Sequence, residues 1–377
     1  MLNVLHLYKS APPEDIGGVG VVIQNISRYS SVQGVRHRVL VCTKASELRV
    51  EQWPCGAEVY FCPQMTTLAS MPFSVNYLRQ FKQLLDWANI LHFHHPFPLQ
   101  DLLYLSARLR RRMPPAVVTY HSDVVRQRFF NLLYTPLARK FLRSVDTVVA
   151  TSPNYVQSSM LLKTLDRQVD VIPLGVNPLT YPPVYPQVQA RLREQVGEGF
   201  CLFLGALRYY KGLSYLINAA RETGIPVVIA GRGEMEPQLR HEASGASNIH
   251  FITEVSEEEK VALLSLAQIF VFPSHVRSEA FGISLLEAQM MRLPLITCEI
   301  ETGTSYVNQA DVTGLIVPPA DSLALAEAMR RLHDDPSLCR KMGFAGYARF
   351  LGMFTAQEMA SRYLQLYRNM CERQENQ

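Results

Sequence analysis

Two successive series of short apolar runs, each followed by a loop and a helix-like stretch, constrain what this chain can fold into more than any other feature. The first series comprises NVLHLY at 3–8, RVLVC at 38–42, EVYF at 58–61, ILHF at 90–93, AVVTY at 116–120 and TVVA at 147–150. Short apolar runs bounded by turn residues read as buried strands, and the stretches between them, such as 75–87 and 99–112, read as helices. Such alternation builds a parallel sheet with helices on its faces. VDVIP at 169–173 closes the series, and the proline-dense LTYPPVYPQ at 179–187 reads as a hinge, placing a boundary near 174–190. The pattern restarts with FCLFLG at 200–205 and continues through 227–230, 249–252, 269–272, 294–297 and 314–317. The expected architecture is therefore α/β: two facing Rossmann-like, doubly wound parallel-sheet domains, 1–175 and 176–355, with an interdomain cleft. Residues 356–373 read as an amphipathic helix with Met359, Tyr363, Leu366, Tyr367 and Met370 on one side, able to pack back on either domain, the N-terminal one included.

Composition narrows the class. No apolar run reaches the roughly 20 residues that a membrane-spanning helix needs, and MLNVLHLYKS reads as a strand rather than a signal peptide. The expected location is the cytoplasm. Cysteines at 42, 55, 62, 201, 298, 339 and 371 form no C-x-x-C pair and no zinc spacing, so free thiols are expected. The net charge of +4 is unevenly shared: residues 1–175 hold 19 Lys and Arg against 11 Asp and Glu, and the remainder 18 against 22. Arg108, Arg110, Arg111, Arg112, Arg126, Arg128, Arg139, Lys140 and Arg143 in the basic half read either as a surface for anionic lipid or as solvated helix faces. No aromatic-interleaved platform or recognition helix accompanies them, so nucleic acid is not an expected partner.

The stretch SEAFGISLLE at 278–287 follows the apolar run ending at Phe272 and opens a helix. A helix start offers unpaired N–H groups and the positive end of the macrodipole, an anion site suited to phosphate. Eight helical positions would set the carboxylates of Glu279 and Glu287 about 12 Å apart, roughly the reach from a sugar past a diphosphate to a ribose. The simpler alternative makes Glu279 a charge complementing the dipole and Glu287 a solvated helix residue. Arg208 and Lys211, in the loop GALRYYKG after the first strand of the second series, are cations able to hold a diphosphate and neutralise charge as it leaves, without a metal. Gly17 and Gly18 would let backbone approach the same anion. They lack the G-x-G-x-x-G register, and the second strand ends without a ribose-binding acid, which argues against a nicotinamide cofactor.

AVVTY runs directly into His121, with Asp123 nearby to orient it, so His121 reads as a hydrogen-bonding group at a reacting sugar or as a cap on the following segment. His92, His94 and His95 invite a metal reading, since alternation puts 92 and 94 on one face, but no further ligand has suitable spacing. They are read instead as strand-end histidines facing the cleft. Ser152, Ser278 and Ser284 sit in no nucleophile elbow.

Taken together, GGVG at 17–20, TYHSD at 119–123, VIPLGVN at 171–177, GALRYYKG at 205–212, AGRGEMEPQLR at 230–240, SEAFGISLLEAQMMRLPLI at 278–296 and TGLIVPPAD at 313–321 resemble the retaining glycosyltransferases of the GT-B fold. This large family, the glycosyl transferases group 1, includes glycogen synthases, sucrose synthases and bacterial cell-surface mannosyltransferases. The resemblance implies that Glu279, with the amides of Ala280, Phe281, Gly282 and Ile283, holds the donor sugar and its diphosphate. It implies that Glu287 meets the ribose, that Thr253, Glu254 and Val255 flank the base, and that Lys211 contacts the diphosphate. The arginine usual directly after the loop glycine is replaced by Ala206, leaving Arg208 to substitute. His121 resembles the histidine at the reacting sugar. The implied reaction retains anomeric configuration by front-face attack, the leaving phosphate taking the acceptor's proton, with no metal and no cofactor.

GALRYYKG, TYHSD and ETGTSYVN at 301–308 look most like mannosyl- or rhamnosyltransferases that build bacterial O-antigen. The implied reaction moves mannose, or a related deoxyhexose such as rhamnose, from a GDP-sugar to a lipid-linked saccharide, with peripheral association on the inner face of the membrane. A UDP-hexose donor, a nucleotide-sugar epimerase and a non-catalytic nucleotide-sugar-binding protein are the alternatives.

Overall fold

The computed structural model describes residues 1–13, 18–68, 71–123 and 128–375. Gly17 of the candidate phosphate loop and Arg126 of the basic group lie outside the described residues, as does the side chain of Arg128. The chain divides into two compact units, residues 1–175 with 356–377, and residues 176–355.

The first unit opens with β1 (Leu2–Leu7), α1 (Gly18–Ser31), β2 (Val35–Thr43), β3 (Arg49–Gln52) and β4 (Glu58–Pro63). A hairpin of β5 (Thr66–Leu68) and β6 (Met71–Phe73) leads to α2 (Val75–Leu85), β7 (Ile90–His95) and α3 (Pro98–Arg108). Then come β8 (Ala116–Tyr120), α4 (Arg128–Ser144), β9 (Thr147–Ala150), α5 (Pro153–Ser158), α6 (Met160–Lys163) and β10 (Asp170–Val171). The strand order is β10-β9-β8-β7-β1-β2-β4-β3. All pairings are parallel except β3 with β4, so the sheet is mixed at that edge rather than wholly parallel. Leaving out β3, the order reverses between β1 and β7, the topological switch point of a doubly wound sheet.

Parallel register decides which side chains share a face. His37 pairs with Val4, two residues before His6; His6 pairs with His92; and His94 pairs with Thr119, two residues before His121. Because alternate strand residues point to opposite faces, His6, His37, His92, His94, Thr119 and His121 fall on one side of the sheet. Helix α1 and the C-terminal helix, which belongs to this unit and packs against α1, supply the partners on that side.

The second unit contains α7 (Pro186–Val196), β11 (Cys201–Leu204), α8 (Leu213–Thr223), β12 (Val227–Ala230), α9 (Glu236–Glu242), β13 (Ile249–Ile252) and α10 (Glu257–Leu266). It continues with β14 (Ile269–Phe272), α11 (Ile283–Met290), β15 (Leu295–Cys298), α12 (Gly303–Val307), β16 (Gly314–Val317), α13 (Ser322–His333) and α14 (Pro336–Met353). Its six strands are all parallel in the order β13-β12-β11-β14-β15-β16, with the switch point between β11 and β14. Every β11–β15 residue is buried except Phe251 and His250, which are half-buried, as the continuous apolar runs require.

Helix α15 (Ala356–Glu375) returns to the first unit. Met359, Tyr363, Tyr367 and Met370 are buried, and so is Leu364, whereas Leu366 is only half-buried. Tyr363 and Tyr367 place hydroxyls among the histidines: Tyr367 meets His92 Nδ1 at 2.6 Å, and Thr119 Oγ1 meets both His92 Nε2 and the Tyr363 hydroxyl at 2.7 Å. Among the described residues no helix is long and apolar enough to cross a membrane. All seven cysteines are free thiols, six of them buried.

Candidate active site

Lys211 and Glu279 come from the loops that leave the two switch-point strands of the second unit, β11 and β14. The loop after β11 turns through a short 3-10 helix, Tyr209–Lys211, and ends at Gly212 in the left-handed region with φ 68°. A Cβ at Gly212 would lie 2.1 Å from the carbonyl oxygen of Pro273, so only glycine permits this approach of the two loops. The Tyr210 carbonyl accepts from the His275 amide at 3.0 Å, tying the loops together. Lys211 Nζ donates to Glu279 Oε2 in an ion pair whose side chains are 10% and 11% exposed. The ammonium also lies 4.3 Å from the centroid of the Phe272 ring, and Ser274 Oγ approaches the same carboxylate oxygen at 3.5 Å.

Glu279 stands in the turn before α11, its amide bonded to the Val276 carbonyl. The helix begins only at Ile283, so helical rise does not set the Glu279 to Glu287 separation, and the estimate of about 12 Å does not apply. Gly282, with φ 87°, is the N-cap and supplies no capping side chain. The Gly282 carbonyl accepts from the Leu285 amide at 3.0 Å, so of the first-turn N–H groups those of Ile283 and Ser284 receive no bond from the N-cap residue. Gly303 locks the turn from behind: its amide donates to the Ala280 carbonyl at 2.8 Å, and Phe281 is buried, edge-on to Phe354.

Glu287, one turn further along, is not a solvated helix residue but buried. Its Oε1 accepts from the Tyr181 hydroxyl at 2.8 Å and from Lys260 Nζ at 2.9 Å. Both donors address the same oxygen, leaving Oε2 outside these two bonds. Burial pushes the Lys260 ammonium down, but Glu287 and Glu257 outweigh it and hold its pKa above the ordinary lysine value. Lys260 and Tyr181 were not singled out from the sequence. Lys260 sits in the acidic run EEEK and Tyr181 in the proline-rich stretch read as a hinge, and neither has a local signal.

Thr253, Glu254 and Val255 line a concavity of about 440 Å³ together with Gly231, Arg232, Ser256 and Glu259. Arg232 pairs with Glu254. Arg208 is solvent-exposed at the start of the 3-10 turn, on the same loop as Lys211.

In the first unit His121 follows β8 at the carboxyl edge of the sheet, its Nε2 3.0 Å from His94 Nδ1. Asp123 does not orient it: Asp123 Oδ1 accepts from the Tyr120 and Ser159 hydroxyls, each at 2.7 Å. Nor do His92, His94 and His95 face open space, since all three are fully buried. His95 points away from the other two and meets the Tyr134 hydroxyl, which also donates to Asp101 at 2.6 Å. Ring nitrogens of His6, His92 and His94 lie within 4.8 Å of one another, a grouping that could hold a metal ion. Every one of their six ring nitrogens is instead engaged by a hydroxyl or another imidazole. Burial, aided by the neighbouring rings, drives the pKa values of all three far below the usual histidine range. For His121 burial alone lowers it to about 3.

Gly18 opens α1 and is exposed. Of the basic group, Arg108 caps the Ser144 carbonyl, Arg111 pairs with Asp86 and Arg143 with Asp166, while Arg110 and Arg112 are exposed. Arg108 to Arg112 lie just before β8, at the amino edge of the sheet and away from His121.

Residues 186–349 match the family model described as Glycosyl transferases group 1, and residues 16–178 match that of Glycosyltransferase Family 4. The chain is 43% identical over 373 residues to the O-antigen chain mannosyltransferase C of Escherichia coli, covering 98% of this chain and 99% of that protein. It is 42% identical over 358 residues to the D-rhamnosyltransferase WbpZ of Pseudomonas aeruginosa, covering 94% and 93%. Among solved structures, the sucrose-phosphate synthase of Thermosynechococcus elongatus superposes with a TM-score of 0.82 at 20% identity, covering 98% of this chain and 99% of that one.

Proposed function

We propose, from the premise that this chain belongs to the glycosyl transferases group 1 family and is a glycosyltransferase of the GT-B fold, that it moves mannose or a related deoxyhexose from a GDP-sugar to a lipid-linked saccharide in O-antigen synthesis. The observation that carries the reading is the convergence, at the switch point of the second sheet, of Lys211, Glu279 and the first turn of α11. The sugar and pathway are suggested by the two relatives above 40% identity, one named for mannose and one for D-rhamnose.

In this reading the donor diphosphate lies against the first-turn amides of α11, with Lys211 and Arg208 as its cations. Charge grows on the diphosphate as the glycosidic bond breaks, and fixed cations and dipoles stabilise it without reorganising. These groups take the part a metal would otherwise play. Glu279 accepts from the sugar hydroxyls, Glu287 from the ribose through Oε2, and the concavity beside Thr253 to Val255 receives the base. His121 acts at the reacting sugar. The leaving phosphate takes the acceptor's proton during front-face attack, so that configuration is retained and no protein nucleophile is needed. Arg110 and Arg112 remain available for an anionic membrane surface.

The test incubates the protein with GDP-mannose, GDP-rhamnose and UDP-glucose, with and without a lipid-linked acceptor extract. Acceptor-dependent release of GDP that survives EDTA, with an α-linked product from an α-linked donor, is the expected outcome. Turnover only with UDP-glucose would overturn the donor assignment. Loss of activity in EDTA, restored by a divalent cation, would overturn the metal-independent mechanism.

A further inference from the structure

Four imidazoles and one hydroxyl form an unbroken hydrogen-bonded row across the covered face of the first unit's sheet. Ser30 Oγ of α1 lies 2.7 Å from His37 Nε2; His37 Nδ1 lies 3.1 Å from His6 Nε2; His6 Nδ1 lies 3.1 Å from His94 Nε2; and His94 Nδ1 lies 3.0 Å from His121 Nε2. Ser30, His37, His6 and His94 are buried to within 2% of full burial, and His121 is 9% exposed. The row spans α1, β2, β1, β7 and the end of β8, and the parallel register already described puts all its rings on one side.

A neutral imidazole has one donor and one acceptor nitrogen, so a row of neutral rings must be polarised throughout in one direction or the other. The far end selects the direction. Ser30 Oγ stands 2.5 Å from the Ile26 carbonyl oxygen, a separation that two oxygens tolerate only with a proton between them. The hydroxyl proton is therefore spent on Ile26, and Ser30 Oγ accepts from His37 Nε2–H. His37 Nδ1 must then accept from His6 Nε2–H, His6 Nδ1 from His94 Nε2–H, and His94 Nδ1 from His121 Nε2–H.

We propose that this row, anchored at Ser30, holds His121 in the Nε2–H tautomer, so that His121 presents Nδ1 as an obligate hydrogen-bond acceptor for a donor-sugar hydroxyl. Ser30, His37, His6 and His94 are positioning residues that act through His121. Burial keeps the intervening rings neutral, so the polarity is set by hydrogen bonding alone. The chemical consequence rests on the reading that His121 meets the reacting sugar. As the glycosidic bond breaks, positive charge accumulates on the sugar and its hydroxyls become better donors. A bond to an acceptor nitrogen therefore strengthens towards the transition state, and a bond from an N–H would weaken.

The test is long-range proton–nitrogen correlation NMR on the full chain labelled with nitrogen-15 histidine, the His121 signals being assigned by their loss in His121→Gln. Wild type is expected to show His121 as Nε2–H. Ser30→Ala removes the terminal acceptor and leaves His37 with a buried donor and no partner. An orphaned buried N–H is the less tolerated defect, so the whole row should reverse and His121 should appear as Nδ1–H. His37→Phe ends the row one ring earlier, fills the space against water, and should give the same reversal. Ser30→Thr keeps the hydroxyl and should keep the wild-type tautomer. Under the functional reading, reversal should lower kcat about tenfold with little change in the donor KM. An Nδ1–H tautomer in the wild type, or an Nε2–H tautomer surviving in both Ser30→Ala and His37→Phe, would overturn the row. Reversal with unchanged kcat would leave the row standing and overturn the placement of His121 at the sugar.

Discussion

Lys211 and Glu279, 68 residues apart in the chain, are joined by a nearly buried ion pair beneath the start of α11. The pair links the residue proposed for the diphosphate to the residue proposed for the sugar. Neither can be changed without altering the electrostatics of the other, because a charge left alone at this depth has lost its compensation.

Glu279→Ala should abolish transfer, and it should also destabilise the second unit, since removing one partner of a buried pair costs about 3–5 kcal/mol. Glu279→Gln keeps the shape and one acceptor for Lys211 but not the compensating charge, so it should recover only part of the stability, without restoring turnover. Thermal melts beside single-turnover assays separate the two effects. Turnover within threefold of wild type in Glu279→Gln would remove Glu279 from the site.

Lys260→Met and Tyr181→Phe remove the two donors that hold Glu287 Oε1. Each should weaken donor binding by about 1.5–3 kcal/mol, the scale of a hydrogen bond to a charged group, and raise the donor KM while leaving kcat largely intact. Calorimetry with GDP reads this directly. An unchanged affinity in both variants would mean that Glu287 does not touch the nucleotide.

Gly212→Ala places a methyl group 2.1 Å from the Pro273 carbonyl in a left-handed conformation. The loops after β11 and β14 must then separate, pulling Lys211 from Glu279. A loss of at least a hundredfold in kcat/KM is expected, about 2.7 kcal/mol in transition-state stabilisation. Near wild-type kinetics would show that the close approach is not needed.

Arg208→Ala should cost about 2–4 kcal/mol in transition-state stabilisation if this exposed cation replaces the arginine missing at Ala206. Steady-state kinetics with saturating acceptor measure it. A loss under threefold would mean that Arg208 points elsewhere during turnover.

Stability should fall in mild acid. Burial holds His6, His37, His92, His94, His95 and His121 neutral, with His37, His95 and His121 each lowered to about 3. Unfolded, these rings take up protons below about 6.5. The unfolded chain then binds more protons than the folded one, so stability is complete above that value and declines as pH drops towards 3. Each ring contributes up to about 1.4 kcal/mol per pH unit. Asp101, raised by burial to about 8, acts in the opposite sense, but one carboxyl does not reverse six rings. Denaturant titrations at pH 7.5, 6.0 and 5.0 should show the midpoint falling steeply. Equal stability at pH 7.5 and 5.0 would contradict a neutral histidine core.

Much of the architecture was legible because buried parallel strands are continuous apolar runs, and β1, β2, β4, β7 to β9 and β11 to β16 all carry that signal. The strands β3, β5 and β6 were not legible. RVEQ at 49–52 is short and polar, and it becomes a strand only because the edge of β4 is there to pair with it antiparallel. The same locality separates the two ends of SEAFGISLLE. Its position after a buried strand and before a helix could be read directly, but the partners of its glutamates could not, since Lys211, Tyr181 and Lys260 converge on them from distant segments.

By itself, the sequence determined the alternation that yields two doubly wound sheets, the loops that stand at their carboxyl ends and the family to which the chain belongs, because all of these are written in local periodicity and contiguous motifs. Only the tertiary structure decided that Lys211 meets Glu279, that two donors share one oxygen of Glu287, and that four histidines from three strands and a strand end form a row reaching Ser30. Those relations depend on strand order and register, which bring together residues up to 106 positions apart, and no local pattern encodes a hydrogen bond across that distance.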